Sequence, residues 1–153
     1  MEELKYLIIH CTDTKAAQKV TADDIRRWHT DPPPAGFGWK RVGYSDMIRR
    51  DGKVENLVPY DEDDYVQPGE LTNGARGYNG CSRHVVLVGG RGNNGLPRNN
   101  FTPRQLVALK HYIAEFKRNH PGCKVIGHNE IAPKACPCLD VRQFLRLNDI
   151  NDN

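Results

Sequence analysis

Fifteen residues near the C-terminal end, Val125 to Leu139, constrain the fold of this chain more than any other stretch: VIGHNEIAPKACPCL. The run Cys123 to Ile126 is short, largely apolar and suited to a buried strand, and Gly127 ends it, so His128 falls at a strand exit. Pro133 and Pro137 exclude a regular helix beyond that point. The chain must instead form a stiff loop able to turn Lys134 and Cys136 back beside His128. A His and a Cys on one loop form half of a metal site. Zn²⁺ takes imidazole and thiolate readily, and a catalytic zinc usually has three protein ligands and one water. The candidate for the third ligand is His10, near the end of the apolar strand LKYLIIHCT, Leu4 to Thr12. The two strands must then be neighbours in one sheet. Cys138 is a rival thiolate.

A chain of 153 residues is most simply one domain with a real core. It has no internal repeat and no apolar run long enough to span a membrane. The start MEELKYLII lacks the basic region and cleavage site of a signal peptide, so a cytoplasmic product is expected. The formal charge of +3, from 22 basic and 19 acidic residues, includes no Lys/Arg run of the kind that marks nucleic-acid binders. It gives weak attraction to an anionic surface such as a cell wall. Five Cys, an odd number, with Cys136 and Cys138 too close to bond each other comfortably, point to reduced thiols; Cys11, Cys81 and Cys123 are expected to be packed or idle.

Local signals fill in the order of elements. Thr21 and Asp24 form a capping box for a helix running to about His29 and stopping before Pro32 to Pro34. His29 itself reads as a satisfied or exposed helix residue. The loop DPPPAGFGWKRVG carries Phe37 and Trp39, which could lie against a sugar or peptide in a groove; core packing suits them equally. Asp51-Gly52 predicts a hairpin joining strands Gly43 to Ile48 and Lys53 to Val58, with Tyr44 opening the first of them. Pro59 to Arg76 reads as a surface loop. His84 to Val88 suits a central strand buried on both faces, with His84 structural. GGRGNNG lacks the ending of a phosphate loop and is an ordinary loop. Thr102-Pro103-Arg104-Gln105 starts a long helix with Leu106, Leu109, Ile113 and Phe116 on one stripe, leaving His111 and His120 exposed. Asp140 caps a last helix carrying Val141, Phe144 and Leu145, and the polar tail after residue 147 is expected to fray. The predicted architecture is a single α/β domain over residues 1–147, a central mixed β-sheet flanked by helices.

Several blocks also resemble the zinc-dependent N-acetylmuramoyl-L-alanine amidases of the amidase-2 type, most nearly the amidase-type lysozymes of T-odd coliphages. They are IIHCTDTK at 8–15, DIRRWH at 24–29, VGY at 42–44, RDGKVE at 50–55, GYN at 77–79, LVGG at 87–90, NFTPRQ at 100–105 and EIAPKACP at 130–137. They fall in the family's order and span nearly the whole chain. Departures occur at Ser45, where the family often has His, and at Asp46, where relatives are apolar. Gly74 stands where a His commonly precedes the Gly-Tyr-Asn match.

The resemblance implies one Zn²⁺ held by His10, His128 and Cys136, with Cys138 in the place of an ordinary small residue. It implies Tyr44 and Lys134 as catalytic groups, substrate contacts at Trp39, Tyr78 and Asn79, and a matching Glu130 that is either a partner of the ligands or a surface acid. The implied reaction is hydrolysis of the amide between N-acetylmuramic acid and L-alanine in peptidoglycan, by a monomer without nucleic-acid or membrane partners that reaches the wall after release from the cytoplasm. Two alternatives belong to other classes. A peptidoglycan-recognition module that only binds usually lacks the Cys ligand that Cys136 retains. A regulator of a phage RNA polymerase needs an N-terminal contact for which the run before the first strand looks too short.

Overall fold

The computed structural model describes residues 1–152. In chain order its elements are β1 (Glu2–Glu3), β2 (Tyr6–Cys11), β3 (Thr14–Lys15), α1 (Ala22–Thr30), β4 (Asp46–Ile48), β5 (Val54–Asn56), β6 (Tyr65–Val66), β7 (Ser82–Leu87), β8 (Gly90–Arg91), α2 (Pro103–Asn119), β9 (Lys124–Gly127) and α3 (Val141–Leu147). The main sheet runs β5-β4-β7-β2-β9. Only β4 and β5 are antiparallel, joined by the predicted hairpin with Gly52 at φ +84°; the other pairings are parallel. The mixed α/β sheet with helices on its faces is therefore as expected.

Side chains alternate across a strand, so each strand of this sheet serves two layers. One face presents Leu7, Ile9, Val85, Leu87, Ile48 and Val125 to Leu109, Ile113 and Phe116 of α2 and to Val141, Phe144 and Leu145 of α3, all in one apolar cluster. On the other face Met47, Val86 and Val88 pack with Ala22 and Ile25 of α1. Each helix has its expected cap: Thr21 and Thr102 form full capping boxes, and the Asp140 side chain accepts the Gln143 N–H. The α1 cluster takes its sheet residues from β4 and β7 and the strand ends. It leaves the same face of β2 and β9, which carries His10, outside that apolar layer.

Several expectations are corrected. Tyr44 precedes β4 instead of opening it, because the ladder begins only at the Asp46–Asn56 pair. The segment 59–76 is not all loop, since Tyr65 and Val66 pair with Glu3 and Glu2. Buried Asp46 is fully satisfied: its carboxylate accepts from the Tyr60 and Tyr112 hydroxyls, both at 2.5 Å, and from Asn56 Nδ2 at 2.9 Å. His120 is buried, its Nε2 lying 2.9 Å from Glu62 and its Nδ1 3.2 Å from Asp64. Those acids come from a distant loop, so helical spacing in α2 gave no sign of them. His111 is exposed, as expected.

The polar tail does not fray over the described residues. The side chain of Asp152 is 6% exposed and pairs with Lys117 at 2.9 Å and Arg142 at 3.2 Å. It also accepts the Val125 N–H at 3.0 Å. Removing one partner of a buried ion pair leaves uncompensated charge, at a cost of about 3 kcal/mol. Asp152→Ala is accordingly expected to lower the urea unfolding midpoint by that much stability with an unchanged denaturant slope; a midpoint equal to that of the wild type would show the tail to be dispensable.

Candidate active site

Parallel strands in register end together. In β2 and β9 the last paired residues are Ile9 and Gly127, so the next residue of each, His10 and His128, emerge side by side with ring centroids 4.7 Å apart. Cys136 returns to this point on a loop built from tight turns, in which Ala132 N–H donates to the His128 carbonyl and Cys138 N–H to the Ala135 carbonyl. The Cys136 Sγ lies 3.9 Å from His10 Nδ1 and accepts the Cys11 N–H at 3.3 Å. One ligand atom from each of His10, His128 and Cys136 lies within 4.8 Å of the others. Cys138 stays outside this group, its thiol donating to the Gly90 carbonyl at 3.2 Å.

The electrostatics suit a cation. Burial pushes His10, His84 and His128 down from the ordinary imidazole value, His84 to about 3, so all three are neutral near pH 7. Cys136 is held below an ordinary thiol by side-chain hydrogen bonding from Cys11, against the opposing effect of burial, and Lys134 adds to the lowering. Two neutral imidazoles and an easily ionised thiol are the donors that Zn²⁺ accepts. The residues present therefore fit a metal of that kind. A second acidic grouping, Asp61, Asp63 and Glu70, is spent on turns: Glu70 accepts the backbone N–H groups of Asp61 and Gln67, and Asp63 that of Tyr65.

Around the donors, Tyr44 sets its ring 5.1 Å from that of His10, and burial raises its phenol so that it remains a proton-bearing donor. Lys134 is exposed and lines, with His128, Trp39 and Asn79, an open groove of about 640 Å³. Phe37 and Trp39 stack at 4.9 Å, and Trp39 rests on His29. His29 is the satisfied helix residue expected, its Nδ1 accepting the Gly43 N–H at 2.9 Å. Tyr78 is not among the groove residues and packs edge-on against Tyr6 at 5.6 Å. Asn79 Oδ1 is already engaged by the Ala75 N–H and by His84. Glu130 turns its carboxylate to the Gly127 N–H and to Arg142, which makes it a brace of the loop.

Sequence reasoning missed one neighbour. His84 is fully buried in β7, as expected of a strand residue, but its Nδ1 lies 2.9 Å from His10 Nε2. The available signal was a titratable residue inside an otherwise apolar run; the register that pairs it with Ile8, two residues before His10, was not visible.

A sheet whose parallel strand ends carry two imidazoles and a thiol beside an open groove has the arrangement of a single-metal hydrolase. The chain belongs to the N-acetylmuramoyl-L-alanine amidase family, whose model matches residues 1–138. It is 37% identical to the endolysin of Klebsiella phage KP32 over 149 residues, 97% of this chain and 90% of that one. It is 34% identical to the endolysin of Escherichia phage T7 over 151 residues, with the same coverage of each. The fold matches that of the N-acetylmuramoyl-L-alanine amidase LysC from Clostridium intestinale URNW with a TM-score of 0.73, over 97% of this chain and 87% of LysC, at 17% identity; that likeness bears on the fold alone. The bond for which the family is named lies in peptidoglycan, so the chain is a peptidoglycan hydrolase.

His29 gives this region a pH dependence. Burial lowers it to about 4, whereas the unfolded residue titrates near 6.5. Below pH 6.5 the unfolded state therefore binds more protons, and stability that is complete above that pH is lost as the pH falls towards 4. The metal-free protein is expected to lose about 2 kcal/mol through His29 between pH 7 and 4.5, with His10, His84 and His128 acting in the same direction. His29→Gln, which keeps an acceptor for Gly43, should flatten that slope in urea titrations at the two pH values; an unaltered slope would mean that His29 is not the group responsible.

Proposed function

We propose that the chain cleaves the amide between the lactyl group of N-acetylmuramic acid and L-alanine, with His10, His128 and Cys136 holding one Zn²⁺. The observation that carries this reading is the three-donor cluster at the ends of β2 and β9, with His128 and Lys134 opening on the groove. When bound, zinc would supply a Lewis acid able to lower the pKa of a water to roughly 7 and to polarise an amide carbonyl. Two neutral imidazoles and one thiolate leave the site one formal positive charge, which favours a developing oxyanion.

The chain's own groups do the rest. Lys134, solvent-exposed at the groove wall, brings its ammonium to the oxygen that gains charge in the tetrahedral intermediate. Tyr44, kept protonated by burial, donates its O–H to the attacking water or to that same oxygen. Trp39 presents an aromatic face, 37% exposed, to sugar or peptide, and Asn79 lines the groove. Tyr78 supports the loop through Tyr6. A module that only bound muropeptide would have no use for the three-donor cluster that Cys136 completes, so catalysis is the better reading. The chain acts as a monomer on the cell wall after release from the cytoplasm; among the described residues no helix is long and apolar enough to cross a membrane.

Purified protein is expected to hold about one zinc per chain and to release free stem peptides from Gram-negative peptidoglycan, read by metal analysis and mass spectrometry of the digest. Cys136→Ala should lose both metal and activity. Lys134→Ala and Tyr44→Phe should keep the metal and lose roughly 10²–10³-fold in rate. Hydrolysis by the Cys136 variant, or new reducing sugar ends in the digest, would overturn the reading.

A further inference from the structure

We propose that His84 is a positioning residue for the metal site: reaching His10 from the neighbouring strand, it fixes the proton of His10 on Nε2 and leaves the Nδ1 lone pair aimed at the metal. The inference rests on the ligand set just given and follows from a chain of donors and acceptors anchored on the backbone.

The Ala75 N–H donates to Asn79 at 2.9 Å. A backbone N–H can only donate, so the Asn79 atom that receives it is the carbonyl oxygen, and the orientation of that amide is settled. The same oxygen lies 3.1 Å from His84 Nε2. Because the oxygen can only accept, Nε2 of His84 must carry a proton. A neutral imidazole has one N–H, and His84, 0% exposed, is buried in that form. Its Nδ1 is therefore an acceptor, and it faces His10 Nε2 at 2.9 Å. His10 Nε2 must then be the donor, which strips the proton from His10 Nδ1. That is the nitrogen turned towards Cys136, 3.9 Å from its sulfur. The tautomer a metal needs is thus dictated, through two rings, by one peptide group in the loop before β7.

The space for this arrangement comes from Gly74. A Cβ on that residue would sit 2.4 Å from His84 Nδ1 and 2.5 Å from its Cγ, a contact that neither ring nor backbone can absorb in place. The departure from the family pattern at Gly74 thereby acquires a reason: a side chain there and the ring of His84 exclude one another. Groups hydrogen-bonded behind a metal-binding imidazole fix its orientation and raise its basicity, and their loss typically costs 10–100-fold in metal affinity.

The test compares wild type, His84→Phe, His84→Gln, Gly74→Ala and Cys136→Ala as metal-free proteins titrated with Zn²⁺ against a competing chelator, each checked for folding by urea midpoint. Phenylalanine fills the space and gives His10 no acceptor, so a 10–100-fold weaker zinc affinity is expected. Glutamine can accept from His10 and donate to Asn79, and should restore affinity to within a few-fold of wild type. Gly74→Ala keeps the imidazole but displaces it, and should weaken zinc binding even if the Phe variant does not fold. Long-range ¹H–¹⁵N spectra of zinc-loaded wild type should show His84 protonated on Nε2 and bare on Nδ1. Unchanged affinity in a folded Phe variant, or a proton on His84 Nδ1, would overturn the positioning role alone. Unchanged affinity in Cys136→Ala would instead overturn the ligand set, and this inference with it.

Discussion

The site depends on the in-register parallel pairing of β2 with β9. Because Ile9 stands opposite Gly127, the two strands deliver His10 and His128 at the same height on the same edge, and only a third donor is left for a loop to supply. A one-residue slip would turn one imidazole to the opposite face of the sheet. Register is protected by what lies on that opposite face: Leu7, Ile9 and Val125 are buried with α2 and α3. A slip would exchange those apolar residues for His10 and its neighbours. The hydrophobic core thus sets the spacing of the two imidazoles from the opposite face of the sheet.

The second requirement is an uncovered place on a covered sheet. Each face needs a layer, yet the apolar packing of α1 draws on β4 and β7 and stops short of β2 and β9. Beyond Ile8 the gap is filled by polar rings, and burial of three imidazoles is tolerable only because each is neutral and the inner ones are paired. His84 and Asn79 are part of that satisfaction. Neutrality and hydrogen bonding, which burial demands for stability, are also the conditions a metal imposes on its ligands, so fold and chemistry ask for the same protonation state.

Much of this was legible in the sequence, and the reason differs from element to element. The hairpin at Asp51-Gly52 and the caps at Thr21, Thr102 and Asp140 are local devices whose signals lie within a few residues. The loop with Pro133 and Pro137 announced its stiffness in the same way. His10 could be joined to His128 only by supposing that two strands were neighbours, a supposition supported by the family resemblance. What escaped notice was long-range and polar. The partners of His120, Glu62 and Asp64, lie more than fifty residues away. Asp152 is anchored by α2, β9 and α3 together. A charged residue in a polar tail carries no local mark of burial, because its partners are assembled only by the fold.

Two buried polar residues, Asp46 and His84, obey one rule. Asp46 brings a carboxylate into the interior at the start of β4, and Tyr60, Tyr112 and Asn56 converge on it with three donors. His84 brings an imidazole into a central strand, and Asn79 accepts from it while Gly74 makes room for it. An unpaired buried polar group is costly, so neither residue could be accommodated without its company, and each must be understood as a group. The two groups differ in what lies at their far end. The network on Asp46 closes on itself and fastens the hairpin to α2 through Tyr112. The one on His84 leads through His10 to a nitrogen with a free lone pair, which gives the second network a chemical consequence that the first does not have.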